Sequence, residues 1–185
     1  MFNLPEKPKV IVGIATSGRA SILKELICQL ERQTVQPDKI IICYRVLSDI
    51  DGIDQNSSSG SRFLFFQGEG LTPQRNVILD HANDSDIILF LDDDFFPEYN
   101  YIKNLIALFK NNDDVLAATG HVVADGAVGP GLSVEAALKR LKTIILPIHS
   151  SIKDVFNTYG CNMAFRLAAI YRYELRFDER LPLYG

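Results

Sequence analysis

"DIILFLDDDFFPEYNYI", residues 86–102, decides how the chain is read. An apolar run from Ile87 to Leu91 stops in three consecutive carboxylates, Asp92, Asp93 and Asp94, and two phenylalanines follow directly. A run that is apolar at every position reads as a strand covered on both faces, as in parallel sheets flanked by helices. Three adjacent carboxylates leaving such a strand repel one another by on the order of 1 kcal/mol or more per close pair, so a positive partner is expected at the strand end. Oxygen donors without a neighbouring His or Cys suit a hard divalent cation, Mn2+ or Mg2+, which keeps several waters and also accepts phosphate oxygens. In an extended segment Asp92 and Asp94 point to one side and Asp93 to the other. One side would then take the metal, and the other a hydroxyl such as that of a ribose. On this stretch alone a plainer reading stays open, a solvated acidic turn favoured by the dipole of a helix begun at Pro97.

Outward from this stretch the pattern alternates. "KVIVGIA" (residues 9–15) is a β-branched run, and "SILKELICQLERQ" (21–33) carries apolar residues at helical spacing, with Ser21 as a cap. "QPDKIIICYRV" gives a Pro-Asp turn and a strand over 40–46, completing a βαβ unit. Residues 48–61, "SDIDGIDQNSSSGS", lack any period and read as a mobile loop. "RFLFF" is a third strand; "TPQRNVILDHAN" opens a helix capped by Thr72 with Pro73 at its first position. "SDIILFL" is the fourth strand, "PEYNYIKNLIALFKNN" a helix from Pro97 to an Asn pair, and "DVLAATGHVV" a fifth strand. Beyond Ala124 come a turn-rich break, a helical segment over 132–148 and a strand running into a helix over 158–171. The expected fold class is α/β, a mostly parallel central sheet with helices on both faces.

Composition narrows the function. The chain has 185 residues with 47% hydrophobic content, enough for the core of one ordinary domain. Its net charge of -4, without a basic stripe, argues against a nucleic-acid partner. Cys28, Cys43 and Cys161 lie far apart without CxxC spacing and read as reduced, buried thiols of a cytoplasmic protein. "MFNLPEKPKV" lacks the basic start and apolar core of a secretory signal. No apolar stretch reaches the roughly 20 residues of a spanning helix. "LKRLKTIIL" (138–146) has the make-up of a basic amphipathic helix suited to a membrane surface, or of an ordinary packed helix.

Three stretches, in order, resemble family 2 glycosyltransferases of the GT-A fold. They are "VIVGIATSGRASILKELICQLERQT", "GEGLTPQRNVILDHANDSDIILFLDDDFFP" with its Arg-Asn and DxD, and "YGCNMAFRLAAIYRYELRFDERLPLYG". The resemblance implies transfer of a sugar from a nucleotide-diphosphate donor of UDP, GDP or dTDP type to a saccharide or lipid-linked acceptor. The implied reaction is inverting and metal-dependent, and its setting is bacterial polysaccharide synthesis in the cytoplasm, with the inner face of the membrane as the place for peripheral contact. It further implies that Thr16, Ser17 and Arg19 line the base and ribose pocket, and that Arg75 and Asn76 approach the diphosphate or ribose. Asp92 and Asp93 would face ribose and metal, Asp94 would be the direct metal ligand with Asp92 beside it, and Gly160, Cys161 and Asn162 would lie on the acceptor side. His121 and His149 border that side.

Residues 1–185 are expected to form a single GT-A-like domain, 1–120 its nucleotide-binding half and 121–185 its acceptor-side half. Two departures stand out. The acidic residue that reads the base at the end of the second strand is replaced by Tyr44 or Arg45, with Asp49 or Asp51 as substitutes from the loop. The family's Glu-Asp pair, whose aspartate is the catalytic base, follows a segment like "FDERLPLYG", so a C-terminal truncation is expected and the base is expected beyond Gly185; Asp178 and Glu179 are the nearest carboxylates. A noncatalytic nucleotide-sugar-binding domain is the alternative. Phosphoryl transfer is a weaker one, because the DxDx(T/V) motif of haloacid-dehalogenase-like phosphatases needs Thr or Val where Phe96 stands.

Overall fold

The computed structural model describes residues 3–53, 62–126, 131–143 and 152–181. Its elements run β1 (Val10–Thr16), α1 (Ala20–Glu31), β2 (Lys39–Tyr44), a 3-10 turn (Leu47–Ile50), β3 (Phe63–Gln67), α2 (Leu71–Asp80), β4 (Ile87–Asp92), α3 (Tyr101–Asn111), β5 (Ala117–Thr119), α4 (Val134–Thr143), β6 (Asn162–Arg166) and α5 (Leu167–Arg172). The six strands form one sheet in the order β3-β2-β1-β4-β6-β5. β1 to β4 are mutually parallel, while β6 runs antiparallel to β4 and to β5. This is the expected α/β architecture. The order reverses between β1 and β4, and in open sheets ligands bind beyond the strand ends at such a point.

The period of two along each strand sorts the core into two layers. Val10, Val12 and Ile14 of β1 and Ile87, Leu89 and Leu91 of β4 face α1 and α3, meeting Leu23, Leu26, Leu30, Ile102 and Phe109. Ile11, Ile88 and Phe90 face the opposite side, against Ile78, Leu79, Leu167 and Ile170 of α2 and α5. At Gly13 α2 comes so close to the sheet that a Cβ would lie 2.6 Å from Ile78 Cγ2 and 3.2 Å from Phe90. Phe95 and Phe96, the pair after the carboxylates, pack against the α1–α3 layer.

Several element ends differ from the sequence reading. α2 begins at Leu71, so Thr72 is inside its first turn; the Thr72 hydroxyl instead donates to Leu181 O at 3.0 Å. Likewise α1 begins at Ala20, which leaves Ser21 within the helix. α3 starts at Tyr101 and not at Pro97, because the Glu98 and Tyr99 carbonyls are held by Gln33 Nε2 (2.7 Å) and Thr34 N (3.1 Å). The fifth strand shrinks to Ala117–Thr119. Residues 47–50 are ordered by Asp49, and 54–61 of the expected loop lie outside the described residues. Cys28 is exposed, contrary to the expected burial of all three thiols, whereas burial pushes the Cys43 thiol up to about 11 and keeps it inert. α4 buries none of its residues, and 144–150, which include His149, lie outside the described residues. Among the described residues no helix is long and apolar enough to cross a membrane.

Candidate active site

The site lies where β1 and β4 end side by side, Ala15 opposite Asp92. The strand alternation expected of the three carboxylates ends at Asp92, because Asp92–Phe95 closes a turn in which Phe95 N donates to Asp92 O at 3.0 Å. The turn brings Asp93 and Asp94 to one guanidinium, that of Arg19, while Asp92 pairs with Arg75. Asp92 continues the α2 side of β4, where Arg75 Nη2 meets its Oδ1 at 3.1 Å. Asp93 turns the other way and is fully buried; Thr16, on the same side of β1, donates its hydroxyl to Asp93 Oδ2 at 2.7 Å. Asp94 is half exposed.

Arg19 reaches this turn from the start of α1. Its Nη2 stands 2.6 Å from Asp93 Oδ1 and its Nη1 2.6 Å from Asp94 Oδ2. The contact to Asp93 is an ion pair without hydrogen-bond alignment, so Asp93 Oδ1 is buried with no hydrogen-bond donor. Burial pushes the Asp93 carboxyl up to about 6 against the opposing pull of Thr16 and Arg19. Burial also raises Asp92, and Arg75 counters it. Two carboxylates at the open end of a sheet, one with an unsatisfied oxygen, fit a hard cation that completes its shell with water and phosphate oxygens. Among the described residues no third His, Cys, Asp or Glu converges with them.

The turn bearing Arg19 is built around Asp49. Gly18 takes the left-handed conformation (φ 73°) and donates its N–H to Asp49 Oδ1 at 2.7 Å, while Arg45 N and Val46 N donate to Oδ2 at 3.0 and 2.9 Å. Burial alone would raise the Asp49 carboxyl; these three donors outweigh it and hold it below the ordinary value. A carboxylate so engaged is a staple of the loop. Ser17 is exposed beside it.

Arg75 is buried and central: besides Asp92 it donates to Gly160 O at 3.0 Å and lies over the Phe177 ring, 5.4 Å from its centroid. It thereby touches the acidic turn, the segment around Gly160 and a strap of residues 176–181. Asn76 faces that strap: its Oδ1 accepts from Phe177 N (3.0 Å), and its Nδ2 donates to Phe177 O (3.0 Å) and Glu179 Oε1 (2.7 Å). Asp178 is bound by Arg180 and Glu179 by Asn76. Cys161 O accepts from Asp92 N at 3.1 Å, placing Gly160 and Cys161 directly beside the acidic turn. Asn162 is fully buried, and its Oδ1 accepts from Tyr101 Oη (3.0 Å), Thr119 Oγ1 (3.0 Å) and Gly120 N (2.5 Å). Its side chain thus holds β5, β6 and α3 together. His121 is exposed.

Sequence reasoning missed Gln74, whose buried Nε2 donates to Thr16 O at 3.1 Å and Cys43 O at 3.0 Å, clamping the open ends of β1 and β2. Its signal was present: a polar residue directly before Arg75 on a helix whose next turn is apolar.

Solved structures share this fold. TarS of S. aureus, which has also been solved with UDP-GlcNAc, superimposes with TM-score 0.63 at 17% identity, over 94% of this chain and 31% of that one. A mannosyltransferase from Pyrobaculum calidifontis, solved with GDP-Man and Mn2+, gives 0.57 at 15% identity, covering 94% and 48%. A cytidylyltransferase from Leptospira borgpetersenii gives 0.55 at 15% identity, covering 95% and 68%. This chain therefore spans between about a third and a half of the two glycosyltransferase structures. No curated sequence matches it. The sheet order and helix placement are those of the GT-A fold, and the sequence model described as "Glycosyl transferase family 2" matches residues 11–173; the chain belongs to that family.

Proposed function

We propose that the chain carries the donor site of an inverting, metal-dependent glycosyltransferase that moves a sugar from a nucleotide-diphosphate donor to a saccharide or lipid-linked acceptor, in cytoplasmic steps of bacterial polysaccharide synthesis. The observation that carries this reading is the acidic turn at the β1–β4 switch point, met by Arg19 on one side and Arg75 on the other. Membership of the family supports sugar transfer over the nucleotidyl transfer of the cytidylyltransferase neighbour, with which only the fold is shared. The bound sugar nucleotides of TarS and the mannosyltransferase support a UDP or GDP donor, and the Mn2+ of the latter supports a divalent ion.

In this reading Asp94 holds Mn2+ or Mg2+ together with Asp93, in place of the expected Asp92, which is engaged by Arg75; the ion when bound would neutralise charge on the departing diphosphate. Thr16 fixes the Asp93 carboxylate, and Arg75, through Asp92 and Gly160 O, holds the acceptor-side segment in register with the donor edge. Donor and acceptor positioned in one dry cleft gain the entropic advantage of a unimolecular step. The acceptor hydroxyl needs a general base to complete an inverting displacement. Asp178 and Glu179 are both engaged by neighbours, so neither is offered as that base; a noncatalytic donor-binding domain is the second reading.

Calorimetric titration of UDP, GDP and dTDP, with and without Mn2+, on the wild-type chain and on Asp94→Ala tests the donor site. Metal-dependent binding of one nucleotide, lost in the variant, is expected. A folded wild-type chain that binds none of the three with Mn2+ present overturns the reading.

A further inference from the structure

Arg19 and Arg75 both neutralise the acidic turn, but they are held very differently. Arg75 is 4% exposed and fixed by Asp92, the Gly160 carbonyl and the Phe177 ring. Arg19 is 46% exposed, follows the left-handed Gly18, and spans Asp93 and Asp94 with two nitrogens at 2.6 Å each. Those are the two carboxylates that would hold a divalent cation. A guanidinium and a dication bound to the same pair repel one another at close range, where the buried side of Asp93 offers little screening.

We infer that Arg19 is an exchangeable counter-ion: it occupies the Asp93–Asp94 pair without metal, is displaced when the cation enters, and is recaptured by the donor's diphosphate. This inference rests on the donor-site reading above. Three features suit the exchange. The long exposed side chain of Arg19 leaves by rotamer changes alone, without backbone motion. Asp93 keeps its orientation after Arg19 departs, because the Thr16 hydroxyl holds the other oxygen at 2.7 Å. A freed guanidinium beside a diphosphate forms charge-assisted, two-pronged hydrogen bonds. The consequence is linkage: metal alone must expel Arg19 and binds weakly, whereas a diphosphate offers Arg19 a new partner, so metal and nucleotide strengthen each other's binding.

The test is Mn2+ titration followed by the electron paramagnetic resonance of free Mn2+, alone and with saturating UDP or GDP, on wild type, Arg19→Gln and Asp94→Asn, each shown folded by circular dichroism. In Arg19→Gln, Mn2+ alone should bind about three- to tenfold tighter, the scale of releasing a half-exposed ion pair. The gain in Mn2+ affinity on adding nucleotide should shrink by a similar factor. Unchanged or weaker Mn2+ binding in Arg19→Gln, with the nucleotide gain intact, overturns the exchange; loss of Mn2+ in Asp94→Asn then shows that the donor site itself stands. Absence of Mn2+ binding in wild type and Arg19→Gln alike, with and without nucleotide, removes both.

Discussion

Replacing Asn76 by alanine tests whether α2 holds the strap of residues 176–181 as the geometry describes. Asn76 is 3% exposed and makes three hydrogen bonds to the strap, two to the backbone of Phe177 and one to the Glu179 carboxylate. If the strap stayed docked, two neutral bonds at about 1 kcal/mol each and one charged bond at about 1.5–3 kcal/mol would be lost, and the Phe177 amide would be left unpaired. Release of the strap is the other response, since it returns the unpaired Phe177 amide to water. It gives up the Phe177 ring, half-buried, edge-on to Phe90 at 5.2 Å and under Arg75, together with the Arg176–Asp80 ion pair and the Thr72–Leu181 bond at 3.0 Å. The three Asn76 bonds are lost in either case, so a loss of about 3 kcal/mol or more is expected, moderated by the conformational freedom that the strap regains. Urea unfolding measures it, and trypsin reports the local event, since Arg176 and Arg180 flank the freed segment. Cleavage at these two sites should accelerate before global unfolding. Asn76→Asp should be at least as damaging, because it sets a carboxylate where Glu179 now accepts. A loss below about 0.5 kcal/mol with unchanged tryptic rates would refute the clamp, since that is within the range of ordinary surface substitutions.

Two further substitutions probe the frame around the site. Asp49→Ala should cost about 3 kcal/mol or more at pH 7, as three backbone donors lose a charged acceptor. The Asp49 carboxyl is held below its ordinary value, so its stabilisation is present above the unfolded value near 3.9 and lost as pH falls through the folded one. The gap between wild type and variant in urea midpoint should therefore narrow below about pH 4, and a pH-independent gap would contradict the assignment. Arg166→Leu should lose about 3 kcal/mol in the same assay, because Arg166 is 1% exposed, caps α3 through the Phe109, Val115 (2.7 Å) and Asn112 (2.8 Å) carbonyls, and leaves them unmet when removed. A loss under about 1 kcal/mol would mean that water takes over those carbonyls.

Much of the sheet was legible because apolar periodicity reports burial, and β1, β2, β4 and β6 bury what their sequences imply, whereas β3, at the sheet edge, buries only Phe63. Periodicity does not report partners, so nothing in "NMAFR" announced that β6 would insert antiparallel between β4 and β5. Helix starts were misplaced at Thr72 and Pro97 for one reason: the groups that signal a local cap there serve tertiary contacts, the Thr72 hydroxyl reaching Leu181 and the Glu98 carbonyl receiving Gln33. At the site, Thr16, Arg19, Arg75 and the three aspartates, singled out by type, do meet in the fold. Their pairing was hidden because the strand ends at Asp92, and a turn, unlike a strand, has no period to extrapolate. Asn76 and Asn162 illustrate the remaining limit, since an amide that could meet a ligand can equally spend itself on distant backbone, and only the fold decides.

Gly13 contributes no polar atom to the site, yet it acts as the shim that sets its spacing. With a Cβ there, Ile78 would have to withdraw from its 2.6 Å approach, and α2 would ride higher over the sheet. Arg75 lies one turn before Ile78 on the same helix, so it would be carried away from Asp92, where the present separation is 3.1 Å. A lift of about 0.5 Å already takes such a contact beyond hydrogen-bond range. The acidic turn and the segment around Gly160, coupled through that one guanidinium, are kept in gauge by a missing side chain three residues upstream of the strand end.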